Sequence, residues 1–198
     1  KKEYTDWSFA VARNDLREML PKKDAWLLSL DVDEVLGKGW RDHLDKVPVE
    51  VNRPRYNYFW NWNTKILNDD GTPNMEATIA INDFGLSYMG DKIVRRHSHK
   101  WVNRVHEVNT SVEGQPEVQG FVELKIYHFA DDSKSRGSYL PLLLLDVEEN
   151  PENDRNTYYA ARELMYYGRT EESIAMFKRH LTLKSATWNA ERAFSMRY

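Results

Sequence analysis

Ala25-Trp26-Leu27-Leu28-Ser29-Leu30-Asp31-Val32-Asp33-Glu34 is the stretch on which the fold class turns. Its first six residues form a nearly continuous apolar run of strand length. That pattern predicts a strand buried on both faces, as parallel sheets supply. Asp31 follows at the C-terminal end, where open α/β sheets place their ligand sites. Three acids within four residues are costly to desolvate unless something compensates them. In a loop, Asp31 and Asp33 can converge on one hard cation, Mg²⁺ or Mn²⁺. The plainer alternative is an acidic surface turn in which Asp33 or Glu34 caps the next helix.

Outward from this stretch, Phe9, Ala12, Leu16 and Met19 make a helical stripe that Pro21 stops. Residues 40–47 read as a short helix ended by Pro48. From Val51 to Trp62 aromatic and polar residues alternate, which predicts a strand. The run Asn68-Asp69-Asp70-Gly71-Thr72-Pro73 is a turn, and shorter strands are expected at 93–96 and 118–129. Beyond Ser133 the period becomes helical, with candidates at 137–149, 153–167 and 170–183 and a fourth near Ala186. The pair around Gly168 resembles one tetratricopeptide-type unit. The expected organisation is an α/β core over 1–132 and a helical appendage over 133–198.

Net charge is −3 with a pI near 6.1, and no basic run is present, so nucleic acid is a poor partner. No apolar run is long enough to span a bilayer. Cysteine is absent, which excludes disulfides and thiolate metal sites and leads us to expect a cytoplasmic protein. The start Lys1-Lys2-Glu3 suggests a piece of a longer chain. Aromatic residues reach 13%, an excess that suits either sugar stacking or a ring-rich core.

Three chemistries use an acidic triplet after a strand. A calcium loop wants an acid or amide at its fifth position and glycine at its sixth, where Val35 and Leu36 stand. A haloacid-dehalogenase-like phosphohydrolase would use Asp31 as nucleophile and Asp33 as acid/base. Downstream, however, Arg95 stands where a second metal-binding acid would follow Gly90-Asp91. The third chemistry is glycosyl transfer. The array Trp7-x-Phe9-Ala10-x-Ala12-Arg13-Asn14 before Asp24–Glu34, then Arg95-Arg96, Val105-His106-Glu107 and Ile126-Tyr127-His128-Phe129, resembles family-2-type glycosyltransferases. The Arg136 region and the helix pair at 153–183 resemble the tail of bacterial members. The likeness covers about residues 7–183, and the order of its short motifs is its specific part.

That resemblance implies a GT-A-like, Rossmann-like core with a mostly parallel sheet, lacking the first, uridine-binding strands. It implies transfer from a nucleotide sugar, a UDP-sugar, to a glycan, lipid-linked or protein acceptor, with inversion. Asp33 and His128 would hold the metal, Mn²⁺ or Mg²⁺, and Arg13, Asn14, Asp31 and His106 would face the donor. Glu107 would be the catalytic base, with Asp83 and Glu34 as alternatives, and Trp60, Trp62 and Trp101 are candidate acceptor platforms. His97 and His99 with Arg95, Arg96 and Lys100 form a cationic cluster that suits either phosphate or an exposed strand edge. An apolar face on the last helices is a candidate homo-oligomer contact. The non-enzyme alternative is a sugar-binding or adaptor module on a degenerate transferase scaffold.

Overall fold

The structure, a computed structural model, describes residues 7–22, 24–130, 137 and 139–198, without the side chain of Asn61. Arg136 lies outside the described residues. In chain order the elements are α1 (Phe9–Glu18), β1 (Trp26–Leu28), β2 (Glu34–Leu36), α2 (Trp40–Asp45), β3 (Arg53–Trp62), α3 (Met75–Ile81) and β4 (Phe84–Gly90). There follow β5 (Ile93–Arg95), β6 (His99–Val102), β7 (Val108–Ser111), β8 (Gln119–His128), α4 (Tyr139–Glu149), α5 (Asp154–Tyr166), α6 (Thr170–Thr182) and α7 (Asn189–Arg197). The protein is α/β, and its contacts divide it into two compact units. One holds the described residues of 15–100 and 109–134, the other those of 1–14, 101–108 and 135–198. The helical segment is therefore joined by two earlier pieces of chain, rather than following a single cut near residue 132.

The first unit is built on a four-stranded sheet in the order β2-β8-β3-β4. Only β3 and β8 run parallel there, while β2–β8 and β3–β4 are antiparallel, so the expected mostly parallel sheet is replaced by a mixed one. The reason lies in the apolar run at 25–30. Only Trp26–Leu28 is strand, it pairs antiparallel with β5 in a separate ladder, and it is half-buried rather than sandwiched. Trp26 instead carries the Arg95 guanidinium, 3.6 Å from its ring centroid.

Strand alternation sorts the side chains of the large sheet. Tyr56 and Tyr58 of β3 join Val122, Leu124 and Ile126 of β8 in one core with Leu44 and Ile93. Phe59 and Tyr127 stack on the other face at 5.2 Å, alongside Trp62, Phe84 and Phe129. Helix α3 begins at Asn74, whose side chain accepts from the Ala77 amide and so meets one orphan N–H of the first turn.

In the second unit, Leu143 and Val147 of α4 pack with Ala160 of α5 and with Val105. Tyr158 and Ala161 pack against Phe177 of α6 and Phe194 of α7. Asn153 caps α5, accepting from the Asn156 amide at 3.0 Å. Gly168 takes φ 71° between α5 and α6, a left-handed position that favours glycine.

Tyr56 is fully buried and sits across the β3–β4 ladder from Gly90. A Cβ on Gly90 would lie 2.3 Å from the Tyr56 ring. The ring cannot retreat freely, because its hydroxyl accepts from the Lys92 amide at 3.2 Å. Gly90→Ala is expected to destabilise the protein by about 1–3 kcal/mol, the range of overpacked cores. Denaturant unfolding measures this, and an unchanged midpoint would contradict the packing described.

A second consequence concerns acid. Burial pushes Glu117 up, but hydrogen bonds from Gln119 and Arg53 and the Arg53 charge overcome it and hold the group at about 2 against an ordinary 4.5. A depressed carboxylate contributes stability that is complete above its unfolded value and is lost as pH falls towards the folded one. Wild type should therefore lose thermal stability between pH 4.5 and about 2 more steeply than Glu117→Gln.

Candidate functional site

Glu34 opens β2 with its side chain wholly buried. One carboxylate oxygen, Oε1, accepts from the Tyr58 hydroxyl and, at 2.7 Å, from Lys92 Nζ. The other, Oε2, accepts from the Asp31 amide at 2.9 Å and so closes the turn that precedes the strand. Lys92 also reaches Asp31 Oδ2 at 3.0 Å. Burial pulls the Lys92 ammonium down, but the Glu34 and Asp31 charges outweigh it, and the net shift is upward. Burial and the adjoining Glu34 carboxylate push the Tyr58 phenol up, so it remains a donor.

Asp33 is placed by the same turn. Its carbonyl accepts from the Phe129 amide at 2.8 Å, and its Oδ2 lies 3.4 Å from His128 Nε2. Both side chains are largely buried, and His128 stands directly across the β2–β8 ladder from Glu34. The exposed ring of Trp60 stacks on the imidazole at 5.9 Å between centroids. His128 Nδ1 is buried and has no hydrogen-bond partner among the described residues. Among the described residues, Asp31 and Glu34 share the Lys92 ammonium, and Asp33 and His128 stand beside them. Asp33 and His128 supply the carboxylate and imidazole donors that suit Mn²⁺ or Zn²⁺.

Asp31, Asp33, His128 and Trp60 of the expected site therefore come together within one unit. Tyr58 and Lys92 belong to the same cluster and were not anticipated. Tyr58 had a signal, since it shares the alternating face of β3 with Trp60. Lys92 had none, lying 58 residues from Glu34 in a turn.

Arg13, Asn14, Trp101, His106 and Glu107 belong to the other unit. Arg13 Nε donates to Glu107 Oε1 at 2.9 Å, and its guanidinium lies over the Trp101 ring. The Asn14 amide group pairs with the Trp101 backbone like a strand neighbour, donating to its carbonyl at 2.9 Å and accepting from its N–H at 3.0 Å. His106, with φ 51°, stacks on Tyr159 at 4.0 Å, and its carbonyl accepts from Arg155. These contacts anchor the 101–108 segment to α1 and α5.

Two expected platforms offer no open face. Trp62 is buried, stacked on Phe129 at 5.0 Å, and donates from its indole to the Thr78 carbonyl. Trp101 is likewise buried. The cationic cluster is also dispersed. His99 is fully buried, with Nδ1 2.8 Å from Ser98 Oγ and Nε2 3.3 Å from a Glu117 carboxylate oxygen, while Arg96 binds the Arg17 carbonyl and Glu18. Asp83 accepts from Asn63 and Thr64 at the surface. The opposite face of the sheet carries a cleft of about 850 Å³ lined by Val35, Asn57, Ile79, Lys125 and Tyr127 among others, and it includes none of the expected site residues.

No protein-family model matches the chain, and no curated protein matches it.

Removing the ammonium while keeping its length, Lys92→Met, leaves the Glu34 carboxylate buried beside Asp31. The expected cost at neutral pH is about 3–5 kcal/mol, as for other broken buried pairs. Adding Glu34→Gln should restore part of the loss, a coupling of about 0.5–3 kcal/mol in a double-mutant cycle. Additive effects would show that the two groups do not depend on each other.

Proposed function

We propose that the chain is a metal-dependent glycosyltransferase that moves a sugar from a nucleotide-sugar donor, a UDP-sugar by resemblance, to an acceptor hydroxyl. The observation that carries this reading is the meeting of Asp33 Oδ2 and His128 Nε2 at 3.4 Å, beneath an exposed tryptophan and beside two further carboxylates. The ordered motifs of the sequence add to it. A divalent cation bound there would neutralise the diphosphate as it leaves with the electron pair of the broken anomeric C–O bond. Lys92 keeps Asp31 and Glu34 oriented beside Asp33 and His128, the two candidate ligands. Trp60 offers an apolar surface to a pyranose ring. In an inverting reaction a carboxylate takes the acceptor proton as the new C–O bond forms. Glu107 is the candidate for that role from its place in the segment after Lys100-Trp101 and Arg104, and it would have to exchange Arg13 for the acceptor hydroxyl.

One observation favours a second reading. An ammonium 3.0 Å from Asp31 Oδ2 is what a phosphohydrolase with Asp31 as nucleophile would use to receive phosphoryl oxygens. The two readings separate cleanly in solution. Calorimetry with Mn²⁺ and a panel of sugar nucleotides should show metal-dependent donor binding, weakened at least about tenfold in Asp33→Ala and in His128→Ala. Release of phosphate from a simple phosphate ester, abolished by Asp31→Asn, would replace transfer by hydrolysis. Binding of neither donor nor metal would leave the non-catalytic module.

A further inference from the structure

The helical unit holds a second group of metal-ligating side chains, remote in sequence from the acidic triplet. Asp154 is the first residue of α5, His180 lies in the last turn of α6, and Glu191 lies in the first turn of α7. One ligand atom from each lies within 4.8 Å of the other two. Acids in first turns are ordinary, because the helix N-terminus favours negative charge. Such placement explains Asp154, which is only partly buried. It does not explain the other two.

His180 is fully buried and Glu191 is 5% exposed. Within that burial, His180 Nε2 and Glu191 Oε1 have no hydrogen-bond partner among the described residues. An unmatched buried polar atom costs about 1–3 kcal/mol, and two within one cluster of potential ligands are unusual unless something joins them. The other ring nitrogen, His180 Nδ1, is 2.8 Å from Ser195 Oγ. Ser195 stands one helical turn beyond Glu191, on the same face of α7. When Nδ1 donates its proton to Ser195, Nε2 is left with a bare lone pair. This is how outer partners set a metal-binding histidine.

The neighbouring cations do not fill the space. The Arg155 and Arg162 guanidiniums lie over the Tyr159 ring at 4.8 and 4.4 Å, and Arg192 donates to the Ala186 carbonyl. We infer that Asp154, His180 and Glu191 form a site for one Zn²⁺ ion that ties the start of α7 to the start of α5 and the end of α6. Imidazole nitrogen and carboxylate oxygen are both donors that zinc takes, and three protein ligands leave the fourth tetrahedral position to water. Donors about one zinc ion stand roughly 3.4 Å apart, so ligand atoms within 4.8 Å of one another need to close by at most about 1.4 Å. The inference is independent of the transferase reading.

The test uses the full chain carrying Asp33→Asn, so that the acidic triplet adds no zinc of its own. After chelator treatment and equilibrium dialysis against micromolar Zn²⁺, metal analysis should find one ion per chain, and the thermal midpoint should rise with zinc concentration. Asp154→Asn and Glu191→Gln should each weaken binding at least tenfold, and Ser195→Ala by roughly 10–100-fold. Glu191→Gln also removes a buried carboxyl whose pKa is raised chiefly by burial, so its metal-free form should be at least as stable as the parent. Higher metal-free stability together with loss of the zinc response would not follow from a merely structural glutamate. Absence of zinc uptake would overturn the inference. So would uptake that survives both carboxylate replacements.

Discussion

The buried carboxylate of Glu34 is the constraint on which the rest of the first unit depends. A carboxylate with no solvent exposure persists only if each oxygen is matched, and Glu34 draws a phenol, an ammonium and a main-chain N–H from three separate parts of the chain. Those bonds bring together β3, the turn before β5, and the turn after β1. The Asp31–Glu34 turn is consequently rigid. Asp33 is held on the side where His128 stands, rather than free to swing with a surface loop. The positioning of the Asp33–His128 pair and the integrity of the core are thus one arrangement.

Tyr56 and Tyr58 show how the sheet serves both ends. They lie on one face of β3, two residues apart, and each hydroxyl is committed to a polar group near Lys92 or Glu34. Tyr56 needs a glycine opposite it, at Gly90, to fit. The polar centre is therefore surrounded by side chains that cannot repack cheaply. A site of this kind is pre-organised, which favours charge stabilisation over induced fit.

Much of this was legible from residue order. The alternation in 51–62 and 118–129 marks β3 and β8, and the helical period marks α4 to α7, because both patterns report burial on one face. The strand β4 was not legible: Phe84-Gly85-Leu86-Ser87-Tyr88-Met89-Gly90 is mostly exposed and has no alternation to read. Neither was α3, whose Asn74 cap is visible in sequence but is followed by β-branched residues that weaken a helical reading. The apolar run before Asp31 misled about sheet direction, since short apolar runs look alike in a buried parallel strand and in a half-covered ladder. In the candidate site, Asp31 and Asp33 come from one acidic stretch, Trp60 from the aromatic alternation of β3 and His128 from the motif order of the resemblance, and all four lie in one unit. Lys92 was not legible, because a single lysine in a turn carries no mark of the carboxylates it will meet.

Arg13, Asn14, His106 and Glu107 fit the sequence likeness in order, yet each has a local partner that accounts for its place. Their part in chemistry depends on exchange of those partners, whereas Asp33 and His128 already face one another. The central claim is accordingly that this pair holds a divalent cation. Anomalous diffraction from crystals soaked with Mn²⁺ and a nucleoside diphosphate addresses it most directly. The account predicts a manganese peak bridging Asp33 Oδ2, His128 Nε2 and the diphosphate. A bound diphosphate with no peak at that pair, or a peak elsewhere alone, would contradict it.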